Sequence, residues 1–127
     1  MNADRTITGK PVADGEVVIR QLGQLGRDLE TEITLLAELE EIAVEAEGDY
    51  RRDFAISYRN ATGTMEDRKQ WATFETEVLW RTWGKASAAV RRQRESLKAL
   101  YARIDIGRTM ASREKALAAL AGRDGAT

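Results

Sequence analysis

Apolar residues recur at steps of three or four along two long stretches of the chain. The first stretch runs from Val17 to Phe54 and the second from Trp71 to Ile104. Steps of three and four place side chains on one face of an α-helix, so each stretch predicts a long amphipathic helix. No proline follows Pro11, so no residue after it forbids helix formation.

The polar segment between the two stretches predicts a helix end followed at once by a helix start. Asn60 and Gly63 suit the end of a helix, because both residue types tolerate the left-handed backbone found there. Thr64 is followed three residues later by Asp67, which predicts a capping box at the start of the next helix. We therefore expect the chain to reverse direction here.

These patterns predict an all-α fold, namely a long antiparallel two-helix hairpin with a short C-terminal helix. The short helix is expected because the apolar pattern weakens at Gly107, and Thr109 or Ser112 could cap a new helix. A reversal at residues 62–63 would place residue 36 near residue 89. The predicted boundaries are a flexible arm at 1–13, a hairpin domain at 14–122 and a tail at 123–127, with helices over about 14–60, 65–106 and 109–121 and a turn at 61–64.

A hairpin of two helices buries only the stripes that face each other. Leu35 and Ile42 widen the first stripe, and apolar rows left exposed usually mark a partner surface. We therefore predict a homo-oligomer that completes a helical bundle or coiled coil, and a protein partner is a further candidate. The candidate interface residues are Leu22, Leu25, Leu29, Ile33, Leu36, Trp71, Phe74, Trp83, Val90, Leu97, Leu100 and Ile104.

Aromatic residues cluster on both sides of the turn. Tyr50, Phe54 and Tyr58 precede it, and Trp71 and Phe74 follow it. We expect the two groups to pack together, because aromatic side chains dominate contact energy in a thin bundle.

Charge divides the chain into two segments of opposite sign. Residues 14–49 contain eleven acidic and two basic residues, a net −9, whereas residues 51–123 contain sixteen basic and eight acidic residues, a net +8. Internal pairing between the antiparallel helices accounts for both segments and is the favoured interpretation. The alternative is nucleic-acid binding by the basic segment. The candidate contacts for it are Arg91, Arg92, Arg94, Lys98 and Trp80.

Composition argues against catalysis. The chain has no cysteine and no histidine, which excludes thiolate nucleophiles, imidazole bases and most transition-metal sites. Glu38, Glu41 and Glu45 share a helix face, but di-iron bundles pair such glutamates with histidine, so a solvated acidic face is expected. We predict no catalytic, cofactor, metal or small-molecule site. Because no apolar run approaches the roughly 20 residues that span a bilayer, we also expect no membrane association and a cytoplasmic location.

Two segments carry a resemblance to a known class of proteins. Residues 59–69 read Arg-Asn-Ala-Thr-Gly-Thr-Met-Glu-Asp-Arg-Lys, and residues 104–112 read Ile-Asp-Ile-Gly-Arg-Thr-Met-Ala-Ser. With Leu97 and Leu100 between them, they resemble small helical proteins from phages and prophages of actinobacteria. The resemblance covers about half of the chain, residues 50–115, and implies a host-cell cytoplasmic location. Some proteins of this class resemble neighbours of phage recombination genes.

The sequence therefore supports two functional hypotheses. The first is a non-enzymatic, phage-type helical module for interaction or assembly that self-associates through its apolar stripes. The second is an accessory protein of phage recombination or replication that binds DNA through its basic segment.

Overall fold

Three α-helices form the described part of the chain. The computed structural model describes the backbone of residues 14–126 and the side chains of residues 15–123. Helix α1 spans Asp14–Asn60, α2 spans Met65–Glu75 and α3 spans Glu77–Ala126, and no strand occurs among these described residues. The fold is all-α, as predicted. The predicted arm at residues 1–13 lies outside the described residues.

Contacts divide the helices into two compact units. The turn unit comprises Thr31–Leu97, and the terminal unit comprises Met1–Glu30 with Lys98–Thr127. In the turn unit Glu32 contacts Gln93, and Tyr50 contacts Trp83. Residue numbers therefore fall along α3 as they rise along α1, which makes the two helices antiparallel in this unit.

The terminal unit shows the same antiparallel order. Gly15 of α1 lies beside Glu114 of α3, and Leu22 lies beside Gly107. Long antiparallel helices in contact are the geometry of the predicted hairpin.

The predicted capping box is present at the start of α2. The backbone N–H of Asp67 donates to the Thr64 hydroxyl at 3.1 Å, and the Thr64 N–H donates to the Asp67 carboxylate at 3.1 Å. Gly63 has a φ of 105°, a left-handed value that a residue with a side chain rarely adopts. The backbone N–H of Ala61 donates to the Ser57 carbonyl at 3.0 Å and closes the last turn of α1.

A partly buried polar contact joins α1 and α3 in the turn unit. The amide of Gln93 donates to the Glu32 backbone carbonyl at 3.0 Å and also contacts the Glu32 carboxylate. Residues 32 and 93 are equidistant from the predicted reversal at residues 62–63. Other contacts depart from that register, because Tyr50 meets Trp83 and Glu40 lies near Arg94, each farther along the chain than the predicted reversal would place it.

The sequence prediction of an uninterrupted helix over 65–106 is wrong, because the structure interrupts it at Thr76. The Thr76 side chain is only 2% exposed, and its hydroxyl donates to the Ala72 carbonyl at 2.7 Å. The Thr76 N–H donates to the same carbonyl at 3.1 Å. The Thr76 backbone, with φ −108° and ψ 14°, departs from helical values, and this separates α2 from α3.

The predicted helix break near Gly107 is also wrong. Helix α3 continues through Gly107 to Ala126, so the short helix at 109–121 and the tail from residue 123 are parts of α3. A Cβ at Gly107 would lie 2.7 Å from a methyl carbon of Leu22, so the missing side chain permits close helix approach. Thr109 caps no helix, because its hydroxyl donates to the Asp105 carbonyl at 3.0 Å.

The buried side chains form a narrow row in each unit. The turn unit buries small and medium-sized residues, and the terminal unit buries aliphatic ones. The buried residues are Ala46, Ala61, Ala72, Thr76, Val90, Gln93 and Leu97 in the turn unit, and Val18, Leu100 and Ile104 in the terminal unit. So narrow a core leaves much of the apolar surface uncovered.

Candidate interaction surfaces

An open groove of about 580 Å³ lies in the turn unit, where α2, α3 and the middle of α1 meet. We call it the turn-end groove. Its lining residues are Tyr50, Glu66, Lys69, Gln70, Thr73, Phe74, Glu77 and Trp80. Phe74 is 70% exposed and Trp80 is 56% exposed, so two large aromatic side chains face solvent at the groove. Exposed aromatic area beside a concave surface is typical of recognition sites.

Two local features position the walls of the groove. The capping box at Thr64 fixes where α2 begins, and the non-helical backbone at Thr76 separates α2 from α3. Phe74 and Trp80 lie on either side of Thr76. Each side chain is therefore carried by a different helix, while Trp71 contacts Phe74 at a centroid distance of 6.0 Å.

A layer of aromatic contacts lies between α1 and α3. Tyr50 stacks on Trp83 with a centroid distance of 5.5 Å and an interplanar angle of 25°, and it also contacts Phe54 at 6.0 Å. The Arg51 guanidinium lies 5.5 Å from the Trp83 ring centroid, a cation–π arrangement. Tyr50 thus packs against an aromatic residue that follows the turn, as expected, but that residue is Trp83 of α3.

The structure separates the predicted interface residues into three groups by exposure. Four are buried against their own chain: Val90, Leu97, Leu100 and Ile104. Five are half-buried: Leu22, Leu25, Leu29, Leu36 and Trp83. Three are exposed: Ile33, Trp71 and Phe74. The buried group forms the core of the hairpin itself, so only the exposed group offers substantial area to a partner.

An apolar stripe that the sequence reasoning missed lies on the terminal unit. Ile106, Met110, Leu117 and Leu120 are all exposed, and their steps of four, seven and three residues place them on one side of α3. We call these four residues the C-terminal stripe. The apolar pattern predicted a helix break at Gly107, within this stripe. The four residues were therefore not identified as one continuous helix face. Each of the four side chains is about half exposed, with Leu117 at 53%.

The predicted nucleic-acid residues are all exposed. Four of them belong to the turn unit and one, Lys98, belongs to the terminal unit: the four are Trp80, Arg91, Arg92 and Arg94. The Arg94 guanidinium lies 3.9 Å from the Glu40 carboxylate of α1, so one predicted nucleic-acid contact also takes part in pairing between the helices. Arg91 and Arg92 make no ion pair within the part of the chain that the structure describes.

Comparison with known proteins yields no relative. No protein-family model matches the sequence, and no curated protein or solved structure is significantly similar to it.

The described helices contain neither a membrane-spanning segment nor a group of acidic residues that could hold a metal ion. None of these helices has a segment both long enough and apolar enough to cross a bilayer. Among residues 14–126, no three or more acidic side chains are placed to hold a metal ion, and this includes Glu38, Glu41 and Glu45. The described surface offers the turn-end groove, the C-terminal stripe and the charged outer faces of α1 and α3.

Proposed function

We propose that the protein is a non-enzymatic helical interaction and assembly module that self-associates through exposed apolar helix faces. The observation that supports the proposal is the number of large apolar side chains left exposed on both units. They include Ile42 of α1, which is 55% exposed, Phe74 of α2, which is 70% exposed, and Leu117 of α3, which is 53% exposed. Burial of such side chains against a second copy stabilises association by about 25 cal/mol per Å² of apolar area.

The distribution of these residues also favours a module that recognises helices. They recur along α1 and α3 at helical spacing and are flanked by charged residues. Apolar rows with charged borders are how helices select partners in bundles and coiled coils. From the resemblance to phage and prophage proteins, we further propose that this module is a phage protein.

The first test is the solution mass as a function of protein concentration. One chain has a mass of 14.2 kDa, and the proposal predicts a weight-average mass above this value that rises with concentration. Multi-angle light scattering and sedimentation equilibrium measure it directly. A constant monomer mass throughout the micromolar range would overturn the proposal.

A matched pair of triple variants tests whether the exposed apolar residues drive association. The first changes one exposed apolar residue of each helix: Ile42→Gln, Phe74→Gln and Leu117→Gln. The control is Ala37→Gln, Ala55→Gln and Ala119→Gln, which adds the same polar groups at exposed positions. We expect the first variant to require a higher concentration than the control to associate. Equal association of the two variants would contradict the proposed role of the apolar residues.

DNA binding is the second candidate function. It is favoured by the exposure of Arg91 and Arg92, which have no ion pair in the described residues, and by the exposed indole of Trp80. Phosphate contacts would give an affinity that falls as salt rises, with each lost contact reducing the slope by about one unit.

The DNA hypothesis predicts that changing Arg91, Arg92 and Arg94 together to glutamine weakens binding and flattens the salt dependence. A charge-matched control changes Arg52, Arg59 and Arg81 to glutamine, which are also exposed. Fluorescence anisotropy with single-stranded and duplex DNA measures both quantities. If the wild-type protein fails to bind either DNA at low salt, this candidate function is eliminated.

A further inference from the structure

We infer that the C-terminal stripe of one copy docks into the turn-end groove of a second copy. The inference rests on the proposed self-association and specifies which surfaces meet. The two surfaces are different, so the contact is heterologous, with each copy presenting one surface to each neighbour. Such contacts build rings when the rotation closes and open assemblies when it does not.

The shape of each surface supports this match. The stripe presents Ile106, Met110, Leu117 and Leu120 along one side of a helix, as the anchors of a helix that binds in a groove also lie. The first and last anchors are 14 positions apart, or about 21 Å at 1.5 Å per residue. Helix α2, which forms one wall of the groove, has 11 residues and is therefore about 16 Å long.

The chemistry of the groove suits apolar anchors. Phe74 and Trp80 supply exposed aromatic walls, and Tyr50 adds a third ring. Aromatic side chains are enriched where one partner inserts apolar groups into another, because they bury large areas with little loss of side-chain entropy.

Charge on the borders of the two surfaces is complementary. The residues that line the groove include Glu66, Glu77 and Lys69, a net −1, and Arg81 pairs with Glu77 beside it. Residues 106–120, which carry the stripe, contain three basic residues and one acidic residue, a net +2. Arg113 lies between Met110 and Leu117 on the stripe, and Glu66 lies on the groove. Complementary charge of this kind sets orientation and speeds association.

Charge also disfavours the other apolar row of the chain as an occupant. Leu35 and Ile42 of α1 are exposed, but they lie within the acidic segment beside Glu38 and Glu41. That row would bring its carboxylates to a groove whose own border is net acidic. The C-terminal stripe has the opposite sign and avoids this repulsion.

The test uses two full-length variants that each disable one surface. The groove variant is Phe74→Glu with Trp80→Glu, and its control is Met65→Glu with Val78→Glu, two exposed residues of the same unit outside the groove. The stripe variant is Leu117→Glu with Leu120→Glu, and its control is Ser112→Glu with Ala119→Glu, exposed residues on another side of the same helix.

A head-to-tail contact makes a specific prediction for mixtures. Each disabled variant alone should be monomeric, because a groove without a stripe, or a stripe without a groove, finds no partner. An equimolar mixture of the two should form a complex of one copy each, since the intact stripe of one variant can occupy the intact groove of the other. The two controls should associate like the wild type. Circular dichroism checks that all variants keep their helix content.

The outcomes separate this inference from the broader proposal. If the stripe variant alone still associates like the wild type, or if the mixture stays monomeric, the head-to-tail contact is overturned while self-association stands. If the wild-type protein itself is monomeric at every concentration, self-association fails and the inference falls with it. A one-to-one complex in the mixture, with both variants monomeric alone, supports the inference.

Discussion

The turn unit and the terminal unit pack the same two helices by different means. In the turn unit, the stacked rings of Tyr50 and Trp83 lie between α1 and α3. In the terminal unit, the side chain missing at Gly107 lets α3 approach Leu22 of α1 closely. In the turn unit large side chains bridge α1 and α3, whereas in the terminal unit the two helices are in close contact. Substitutions of the same type should therefore have different effects in the two units.

The largest expected effect is the loss of Trp83. Trp83→Ala removes a half-buried ring that stacks on Tyr50 and lies below the Arg51 guanidinium. We expect a loss of about 2–3 kcal/mol in the free energy of unfolding, near the lower end for large aromatic truncations. Urea denaturation followed by far-UV circular dichroism measures it.

Tyr101→Ala is the matched substitution in the terminal unit. Tyr101 is an exposed aromatic on the same helix, so its loss should cost less than about 1 kcal/mol. Both variants should be compared with the wild type at one low protein concentration, because association itself raises apparent stability. Equal losses for Trp83→Ala and Tyr101→Ala would refute the importance of the aromatic layer.

The next largest effect is expected at the turn. Gly63→Ala forces a side chain onto a φ of 105° and would place its Cβ 2.8 Å from the Asp67 carboxylate that completes the capping box. We expect a loss of about 1–3 kcal/mol, the usual cost of a strained backbone conformation. Gly48→Ala in the interior of α1 is the control, because its Cβ would meet nothing within 4 Å and should stabilise the helix. A destabilised Gly48→Ala or an unaffected Gly63→Ala would contradict this account.

The smallest expected effect compares two glycines of α3. Gly84 in the turn unit has open space where a Cβ would be, so Gly84→Ala should raise stability by about 1 kcal/mol. Gly107 in the terminal unit lies against Leu22, so the same gain should be offset by displacement of the Leu22 side chain. Thermal unfolding of the two variants measures the difference.

A double substitution sharpens that comparison. Leu22→Ala should lower the free energy of unfolding less in a Gly107→Ala background than in the wild type. The reason is that the new methyl group occupies part of the space that the Leu22 side chain leaves. Strict additivity of the two substitutions would argue against close helix approach at Gly107.

Local sequence signals predicted the limits of α1 and the capping box well. Thr64 and Asp67 form the reciprocal bonds that their spacing indicates, and α1 and α3 are antiparallel within each unit. These features depend on a few neighbouring residues, whose preferences are the same in most proteins.

The sequence pattern did not predict the features that depend on tertiary contacts. Gly107 resembles a helix end in sequence, but its role is to make room for Leu22. Thr76 gave no signal of an interruption, because threonine also occurs within continuous helices, as Thr73 and Thr82 do here. The stripes did not distinguish residues buried within the chain, such as Leu97, from residues left exposed, such as Ile33, since helical spacing is the same for both.

The contact between Gln93 and Glu32 also constrains how the length of this chain can change. Twenty-eight positions separate Glu32 from the end of α1 at Asn60, and the same number separate Met65, where α2 begins, from Gln93. An insertion in only one of these arms would move Gln93 out of register with Glu32, so its amide would lose the contact with the Glu32 carboxylate. Insertions and deletions that preserve the fold should therefore occur in pairs of equal length, one on each side of the turn.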